Sequence, residues 1–231
     1  MSNIYWDDYS EEFPFGNIVS VFSNKNSGLI NTDNLYLFLK KVNLEPKHLI
    51  TLGQVHSSNI ILASKSGFYK NKDGILNQGG SMVCAIQVAD CLPIFFVNRA
   101  SKTLGLIHAG WRGLSFGIIS KTIKHIIYLK ENISDYHVLI GPSIQSCCFE
   151  IKSDVLKYFD SNFYKKKSDN KFTVNLQSWA ASQLSVNGII PEKIKIIKKC
   201  TFCLESKYHS YRRDGSKSGR MFACIGWQNS L

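Results

Sequence analysis

Short apolar runs separated by turn residues constrain the fold of this chain more than any other feature of its sequence. The runs are three to seven residues long and rich in Val, Ile, Leu and Phe, and turn signals such as Asp73-Gly74 and Gly79-Gly80 lie between them. Runs of this length and composition are typical of strands and not of helices. The predicted strands are 18–22, 49–55, 59–62, 82–88, 92–97, 104–108, 138–140, 194–199 and 221–227.

Four other segments have the apolar spacing of an amphipathic helix. In one of them Ile119, Ile123 and Ile126 recur at intervals of four and three residues, which favours a helix packed on a sheet. Strands and helices are mixed without regular β-α-β alternation. We therefore expect one domain over residues 1–231, with an α/β (α+β) fold built on a mixed sheet. The predicted helices are 34–42, 114–129, 153–159 and 176–186.

The chain is strongly basic, with 28 Lys and Arg against 17 Asp and Glu and a net charge of +11. Such a charge suits an acidic partner: nucleic acid, a membrane surface or a phosphorylated small molecule. Lys supplies most of the charge and is scattered along the chain, which is typical of a solvated surface and disfavours nucleic-acid binding. The few Arg side chains, in contrast, are concentrated in segments that resemble binding motifs.

Cysteine usage and hydropathy indicate the compartment. The chain has seven Cys, an odd number, and its N-terminal segment is acidic. We therefore expect neither a disulfide framework nor a signal peptide. It contains no run of about 18 apolar residues, so no membrane-spanning helix is expected. These features predict a cytoplasmic protein with reduced thiols.

Two His and one Cys form the leading candidate site: His56 in GQVH, Cys91 in ADCLP and His108 in IHAGWRG. Loops held by a rigid sheet often carry catalytic groups. Two imidazoles and one thiolate could bind Zn²⁺ and leave a fourth position for water or substrate, as catalytic zinc sites do. The spacing contains no CxxC or HxxxH clamp, so it leaves open that all three are ordinary packing residues.

Residues beside these three could also take part in binding. Asp90 precedes Cys91 and could orient a ligand or a proton. Trp111 and Arg112 lie between two Gly, which allow a ligand to approach the backbone closely. The Arg112 guanidinium suits phosphate or carboxylate, and the Trp111 indole offers a stacking face, with a core aromatic as the alternative.

Glu150, in the segment CCFE, is a candidate general acid or base. The adjacent Cys147 and Cys148 are expected to be packing residues. Cys200 and Cys203 have CxxC spacing, but the sequence shows neither a second pair to complete a zinc site nor the β-α-β context of a redox motif.

Three further Arg lie near the C-terminus. Arg212 and Arg213 occur in SYRRDG, and Arg220 follows in a Gly-Arg pair. Adjacent guanidinium groups with Tyr, Ser and Gly favour an anion pocket over a solvated loop.

In this order the motifs resemble the YfiH-like or laccase-domain family, whose members are also described as multicopper polyphenol oxidoreductases, purine nucleoside phosphorylases and peptidoglycan editing factors. The resemblance runs from about residue 53 to 225. It departs from the family pattern in segment 23–28, which lacks the usual Arg, and at Gln145 and Phe149, where Gly and Tyr are usual. The matching segments are QVH, ADCLP, HAGWRG, IGPSI, CCFE, CT, and SYRRDG to GRM.

The resemblance implies a zinc site made by His56, Cys91 and His108, and a layered sandwich of mixed β-sheets flanked by helices. It also implies a cytoplasmic enzyme that phosphorolyses adenosine, inosine or methylthioadenosine and deaminates adenosine. Purine nucleosides and phosphate are then the expected partners. In this hypothesis the catalytic residues are Cys91, His56, His108 and Glu150, and the substrate- and phosphate-binding residues are Arg112, Trp111, Arg212, Arg213 and Arg220.

Three other functions remain as alternatives. Cys91 could be a nucleophile activated by His56 or His108 in a zinc-independent hydrolase or amidase that edits peptidoglycan precursors. A blue-copper site could in principle form from two His, Cys and Met, but six His are too few for a multicopper relay, so a copper-dependent polyphenol oxidase is disfavoured. A basic nucleic-acid-binding module is the third alternative.

Overall fold

The computed structural model describes residues 5–28, 32–80 and 82–228. Its strands form two six-stranded sheets and one three-stranded sheet. The strands are β1 (Trp6–Asp8), β2 (Ile18–Ser23), β3 (Leu49–Gly53), β4 (Ile60–Leu62), β5 (Gly67–Lys70), β6 (Gly74–Asn77), β7 (Val83–Val88), β8 (Leu92–Asn98), β9 (Thr103–Ala109), β10 (His137–Ile140), β11 (Glu150–Lys152), β12 (Tyr164–Ser168), β13 (Lys171–Val174), β14 (Ile194–Ile196) and β15 (Met221–Trp227).

Five α-helices lie within the described ranges. None of these helices combines the length and the apolar character that crossing a bilayer requires. The helices are α1 (Thr32–Lys41), α2 (Trp111–Ser115), α3 (Ile118–Tyr128), α4 (Leu176–Val186) and α5 (Tyr211–Asp214).

Both large sheets are mixed. The first has the strand order β1-β2-β15-β7-β3-β5 and the second the order β14-β10-β8-β9-β6-β4. In the first sheet β3 runs parallel to β5 and β7, and in the second β4 runs parallel to β6 and β10 to β14; the other pairs are antiparallel. The small third sheet has the order β11-β13-β12.

The core lies in layers on either side of each large sheet. Phe95 and Leu106 of the second sheet pack in one cluster with Ile86 of the first, so this cluster fills the space between the sheets. Ile94 and Phe96 belong instead to the cluster formed with α3 and α4 on the outer face. A third cluster lies between α1 and the first sheet. The predicted fold class, a layered sandwich of mixed sheets flanked by helices, is confirmed.

Several predicted boundaries differ from the structure. The helix predicted over 114–129 is divided into α2 and α3 at Gly117, whose φ of +76° suits glycine. Segment 153–159 forms a 3₁₀ helix over Ser153–Tyr158 and not an α-helix. Strands β5 and β6 and the small sheet were not predicted; β12 is lysine-rich and mostly exposed, so it has no apolar pattern. The expectation of one domain stays a prediction.

Candidate active site

His56, Cys91 and His108 converge at one point, although they are far apart in the sequence. One ligand atom from each lies within 4.8 Å of the other two, and the two imidazole centroids are 4.7 Å apart. His108 lies in β9, Cys91 lies in the turn before β8, and His56 follows β3. We call this group the three-ligand site. The structure thus brings together the three residues that the sequence singled out.

The local backbone makes this convergence possible. His56 and Asp90 have positive φ angles of +58° and +85°, which turn the chain sharply at both loops. Gly110 lies beside the sulfur, and a Cβ there would come within 2.9 Å of Cys91 Sγ and 3.3 Å of His56 Cδ2. Only a residue without a side chain therefore fits at position 110 without displacing a ligand atom.

Asp73 supports the three-ligand site from behind. Its Oδ1 lies 2.9 Å from His108 Nδ1, which leaves His108 Nε2 for Cys91 or a metal. The backbone N–H groups of His56 and Ser57 donate to the same carboxylate over 3.0 and 2.7 Å. A carboxylate that orients a ligating His in this way is a common feature of zinc sites. The sequence predicted only a turn at Asp73, because its contact with His108 depends on the pairing of β6 with β9.

The electrostatics of the three-ligand site favour a thiolate. Burial alone would raise the pKa of Cys91, but His108 and His56 outweigh it and lower that pKa to about 6. Burial likewise opposes charge on His108, whereas Cys91 and Asp73 raise its pKa to about 9. The pKa of Asp73 falls to about 2, because hydrogen bonds from His108 and Ser57 outweigh its burial. Near neutral pH the metal-free site therefore holds a thiolate beside an imidazolium.

A cavity of about 610 Å³ opens directly onto the three-ligand site. Its volume falls within the range of small-molecule sites. The cavity has both positively charged and apolar walls, since Arg112, Arg212 and Arg220 line it together with Ile144 and Phe149. It can therefore accommodate a ligand with an anionic group and a flat apolar ring.

The three cavity arginines are placed by aromatic rings and backbone carbonyls. Arg112 Cζ lies 4.6 Å from the centroid of Trp111, which also lines the cavity. Arg212 Cζ lies 5.1 Å from the Phe149 ring, and its Nη1 donates to a backbone oxygen over 2.6 Å. Within the part of the chain that the structure describes, these three arginines form no ion pair. Their charge is available to an anion.

Asp90 has a different role from the one that the sequence suggested. Its carboxylate accepts hydrogen bonds from Thr201 Oγ1 at 2.6 Å, Ser210 Oγ at 3.0 Å and the Arg212 backbone N–H at 2.7 Å. It therefore anchors the segment that carries Arg212, and among the described residues its carboxylate has no hydrogen bond with His56 or His108. Asp73 is the carboxylate that contacts a His of the site.

Two predicted site residues are not brought to the cavity wall. The Glu150 carboxylate pairs with Lys167 and Lys171 at 2.8 and 3.1 Å on the small sheet. Arg213 pairs with Asp214 and donates to backbone oxygens, including that of Phe202 at 2.9 Å. Neither lines the cavity. Arg213 thus holds loops together, and Glu150 is placed away from the three-ligand site.

Comparisons with known proteins identify the family and agree with the fold. Residues 23–228 match the family model described as multi-copper polyphenol oxidoreductase laccase. A purine nucleoside phosphorylase of Haemophilus influenzae is 31% identical over 211 residues, which is 88% of this chain and 83% of that protein. The purine nucleoside phosphorylase YlmD of Geobacillus stearothermophilus is 32% identical over 166 residues, 67% of this chain; the match spans only 59% of YlmD.

The fold is shared with a solved structure. The crystal structure of the hypothetical protein YfiH of Bacillus licheniformis superposes with a TM-score of 0.89 at 21% identity, over 97% of each chain. The resemblance seen in the motifs is thereby confirmed. This chain belongs to the YfiH-like family, described as multi-copper polyphenol oxidoreductase laccase.

Proposed function

We propose that this protein is a zinc-dependent purine nucleoside phosphorylase that takes phosphate with adenosine, inosine or methylthioadenosine. One observation carries the proposal: the three-ligand site shares one cavity with three arginines that form no ion pair with any described residue. The relatives named purine nucleoside phosphorylase support the substrate class. Since all seven cysteines are free, we keep the cytoplasm as the proposed location.

His56, Cys91 and His108 would hold the zinc ion. Two features of the structure fit such an ion: Asp73 fixes the orientation of His108, and Gly110 leaves space beside the sulfur. Three protein ligands leave a fourth position, at which zinc acts as a Lewis acid or lowers the pKa of bound water.

Copper fits the same residues less well. A blue-copper site with two His and one Cys uses a weak axial ligand, most often Met. Met221 is buried in β15, where its sulfur accepts the backbone N–H of His209 over 3.1 Å. Met82 packs against the cluster between the two sheets. Of the described residues, no Met lines the cavity, so we do not propose oxidase chemistry.

The other cavity residues suit the two halves of the reaction. In phosphorolysis a phosphate oxygen forms a bond to C1′ of the ribose as the bond from C1′ to the purine breaks. Arg112, Arg212 and Arg220 would bind the phosphate, and the apolar faces of Ile144 and Phe149 would hold the purine. Deamination of adenosine, in which water replaces the amino group at C6, is a second reaction that we propose for the same cavity.

One observation favours a second candidate function. Asp73, His108 and Cys91 form a chain of contacts in which a carboxylate orients an imidazole beside a thiolate. This arrangement is also that of a cysteine nucleophile with its base and orienting acid. A zinc-independent hydrolase or amidase, including one that edits peptidoglycan precursors, is therefore the alternative.

A product assay with controlled metal content separates these functions. The protein is incubated with adenosine, with and without phosphate, and the products are resolved by chromatography. Adenine and ribose 1-phosphate that form only with phosphate support phosphorolysis, and inosine supports deamination. Chelation should abolish turnover and zinc should restore it; activity that survives chelation but not iodoacetamide would contradict the zinc mechanism and favour the cysteine hydrolase.

A further inference from the structure

A second group of cysteines lies outside the three-ligand site. Cys147, Cys148, Cys200 and Cys203 come together so that their four sulfur atoms all lie within 4.8 Å of one another. The sequence showed no second pair to complete the CxxC of Cys200 and Cys203, and the structure brings the adjacent Cys147 and Cys148 beside it. We call this group the four-cysteine cluster.

The spacing of these sulfurs fits a single tetrahedral ion. With Zn–S bonds of about 2.3 Å, the sulfurs of a tetrahedral zinc site lie about 3.8 Å apart. Cys203 Sγ lies 3.7 Å from Cys147 Sγ and 3.2 Å from Cys148 Sγ. These two distances, and the 4.8 Å limit that holds for all four sulfurs, are compatible with binding of one ion. A disulfide, in contrast, needs a sulfur–sulfur distance of about 2.05 Å.

Burial argues against simple packing. Cys84 and Cys224 are wholly buried in the apolar core and represent the packing kind of cysteine. In the four-cysteine cluster Cys200 is buried and Cys148 is half-buried, but Cys147 and Cys203 are exposed. Exposed thiols gain little from apolar burial, so their convergence has another cause.

A backbone N–H group donates to one of the sulfurs. The N–H of Gln145 lies 3.5 Å from Cys200 Sγ. Hydrogen bonds of this kind favour a charged sulfur over a neutral thiol. A zinc-bound cysteine is a thiolate, so the local backbone suits metal binding.

We propose that the four-cysteine cluster binds one zinc ion as a closed tetrathiolate, a structural site separate from the three-ligand site. Four protein ligands leave no position for substrate, which is the arrangement of structural zinc. The four thiols lose their protons on binding, and no oxidant is needed. Neither the CxxC pair nor the vicinal pair supplies more than two ligands, so the ion would link the two loops.

One of the linked loops reaches the cavity wall, and the other contacts a residue of that wall. The loop that carries Cys147 and Cys148 is bounded by Ile144 and Phe149, both of which line the cavity. The loop of Cys200 and Cys203 contains Thr201, whose hydroxyl donates to Asp90. Because Asp90 also binds the Arg212 segment, the proposed ion would hold the apolar wall and this anion-binding segment in register.

Metal counting on the intact protein tests this inference. Metal-free, reduced protein is loaded with excess zinc, freed of unbound ion by gel filtration and measured by mass spectrometry of the elements. We expect two zinc ions per wild-type chain, one in the double variant Cys147→Ser/Cys203→Ser and one in Cys91→Ala. Cys84→Ala, which alters a buried thiol outside both groups, should keep two.

The two sites are then distinguished by spectroscopy. Cobalt in place of zinc should give Cys91→Ala a strong thiolate-to-metal charge-transfer band from four thiolates, which serves as the measurement if the double variant fails to fold. The inference is overturned if wild type holds one ion that Cys91→Ala removes. It is also overturned if the untreated protein is 2 Da lighter with a disulfide in the cluster and the reduced protein binds no second ion, or if the untreated protein holds iron there that zinc does not replace. The test does not depend on nucleoside turnover, so it separates this inference from the proposed function.

Discussion

The three-ligand site and the four-cysteine cluster contain the same soft ligand in two different surroundings. At the three-ligand site one sulfur meets two imidazoles, and His108 is only 3% exposed. In the four-cysteine cluster four sulfurs meet without any imidazole, and Cys147 and Cys203 are exposed. The first group lines a cavity, whereas none of the four cysteines of the second group lines it.

The difference shows how ligand number and support determine the use of a cysteine. In the proposed assignment, three ligands, with His108 oriented by Asp73, would leave a coordination position that a substrate can reach, and the cavity arginines would bind that substrate. Four thiolates complete the coordination of an ion and leave it inert. In these two proposals the same ligand, a cysteine thiolate, would give a reactive ion at the three-ligand site and a structural ion in the four-cysteine cluster.

Removing the Asp73 carboxylate, which contacts His108, should produce the largest difference in zinc affinity between the three-ligand site and the four-cysteine cluster. In Asp73→Asn a neutral amide replaces the carboxylate, so His108 loses its charged partner. The amide also offers one acceptor oxygen where the carboxylate offered two. We expect zinc affinity at the three-ligand site to fall about 10- to 100-fold. Competition with a chromophoric chelator measures this affinity.

The matched control for that change is Asp169→Asn, which alters an exposed carboxylate whose one ion pair among the described residues is with Lys166 at 3.3 Å. It should leave both zinc affinities unchanged. The four-cysteine cluster should also keep its affinity in Asp73→Asn. An equal loss at both sites would mean that Asp73 acts on the stability of the whole fold and not on His108.

The sequence predicted the strands of the central layers well because those strands are apolar on both faces. In β8 successive residues such as Phe95 and Phe96 are buried on opposite sides, which produces an unbroken apolar run. The small sheet could not be found in this way. Its strand β12 is mostly Lys and is stabilised by pairing with β13, and pairing between strands leaves no apolar pattern in one strand alone.

The candidate site was predictable to the extent that its residues lie in distinctive motifs. His56, Cys91 and His108 belong to such motifs, but Asp73 does not, since its role arises only when β6 lies beside β9. The four-cysteine cluster was missed for a related reason. Its two pairs meet because Ser143 bridges to Cys200, a contact between loops that spacing in the sequence does not reveal.

The proposed phosphate binding in the cavity can be tested without substituting any residue of the three-ligand site. Arg220→Gln removes a charge from the cavity while keeping a polar side chain. Hydrogen bonds to charged groups contribute about 1.5–3 kcal/mol, so the KM for phosphate should rise about 10-fold or more. Steady-state kinetics at varied phosphate concentration measures this effect.

Arg99→Gln, on an exposed position outside the cavity, is the matched control and should keep the wild-type KM. Zinc content should be the same in both variants. If Arg220→Gln lowered the zinc content instead, Arg220 would contribute to metal binding. The assignment of the cavity arginines to phosphate alone would then be wrong.

The acidity of Cys91 gives the finest distinction between the two regions, because only this cysteine has imidazole neighbours. Burial opposes the thiolate, but His108 and His56 lower the pKa of Cys91 from 9.0 to about 6. In metal-free protein, alkylation of Cys91 by iodoacetamide should therefore accelerate as the pH rises through about 6, where the thiol loses its proton. Peptide mass spectrometry at short reaction times follows this residue alone.

In His108→Gln the midpoint should move upward by about 1–3 pH units, because the larger of the two imidazole contributions is lost. A wild-type midpoint near 9, or no shift in the variant, would show that the imidazoles do not activate the sulfur.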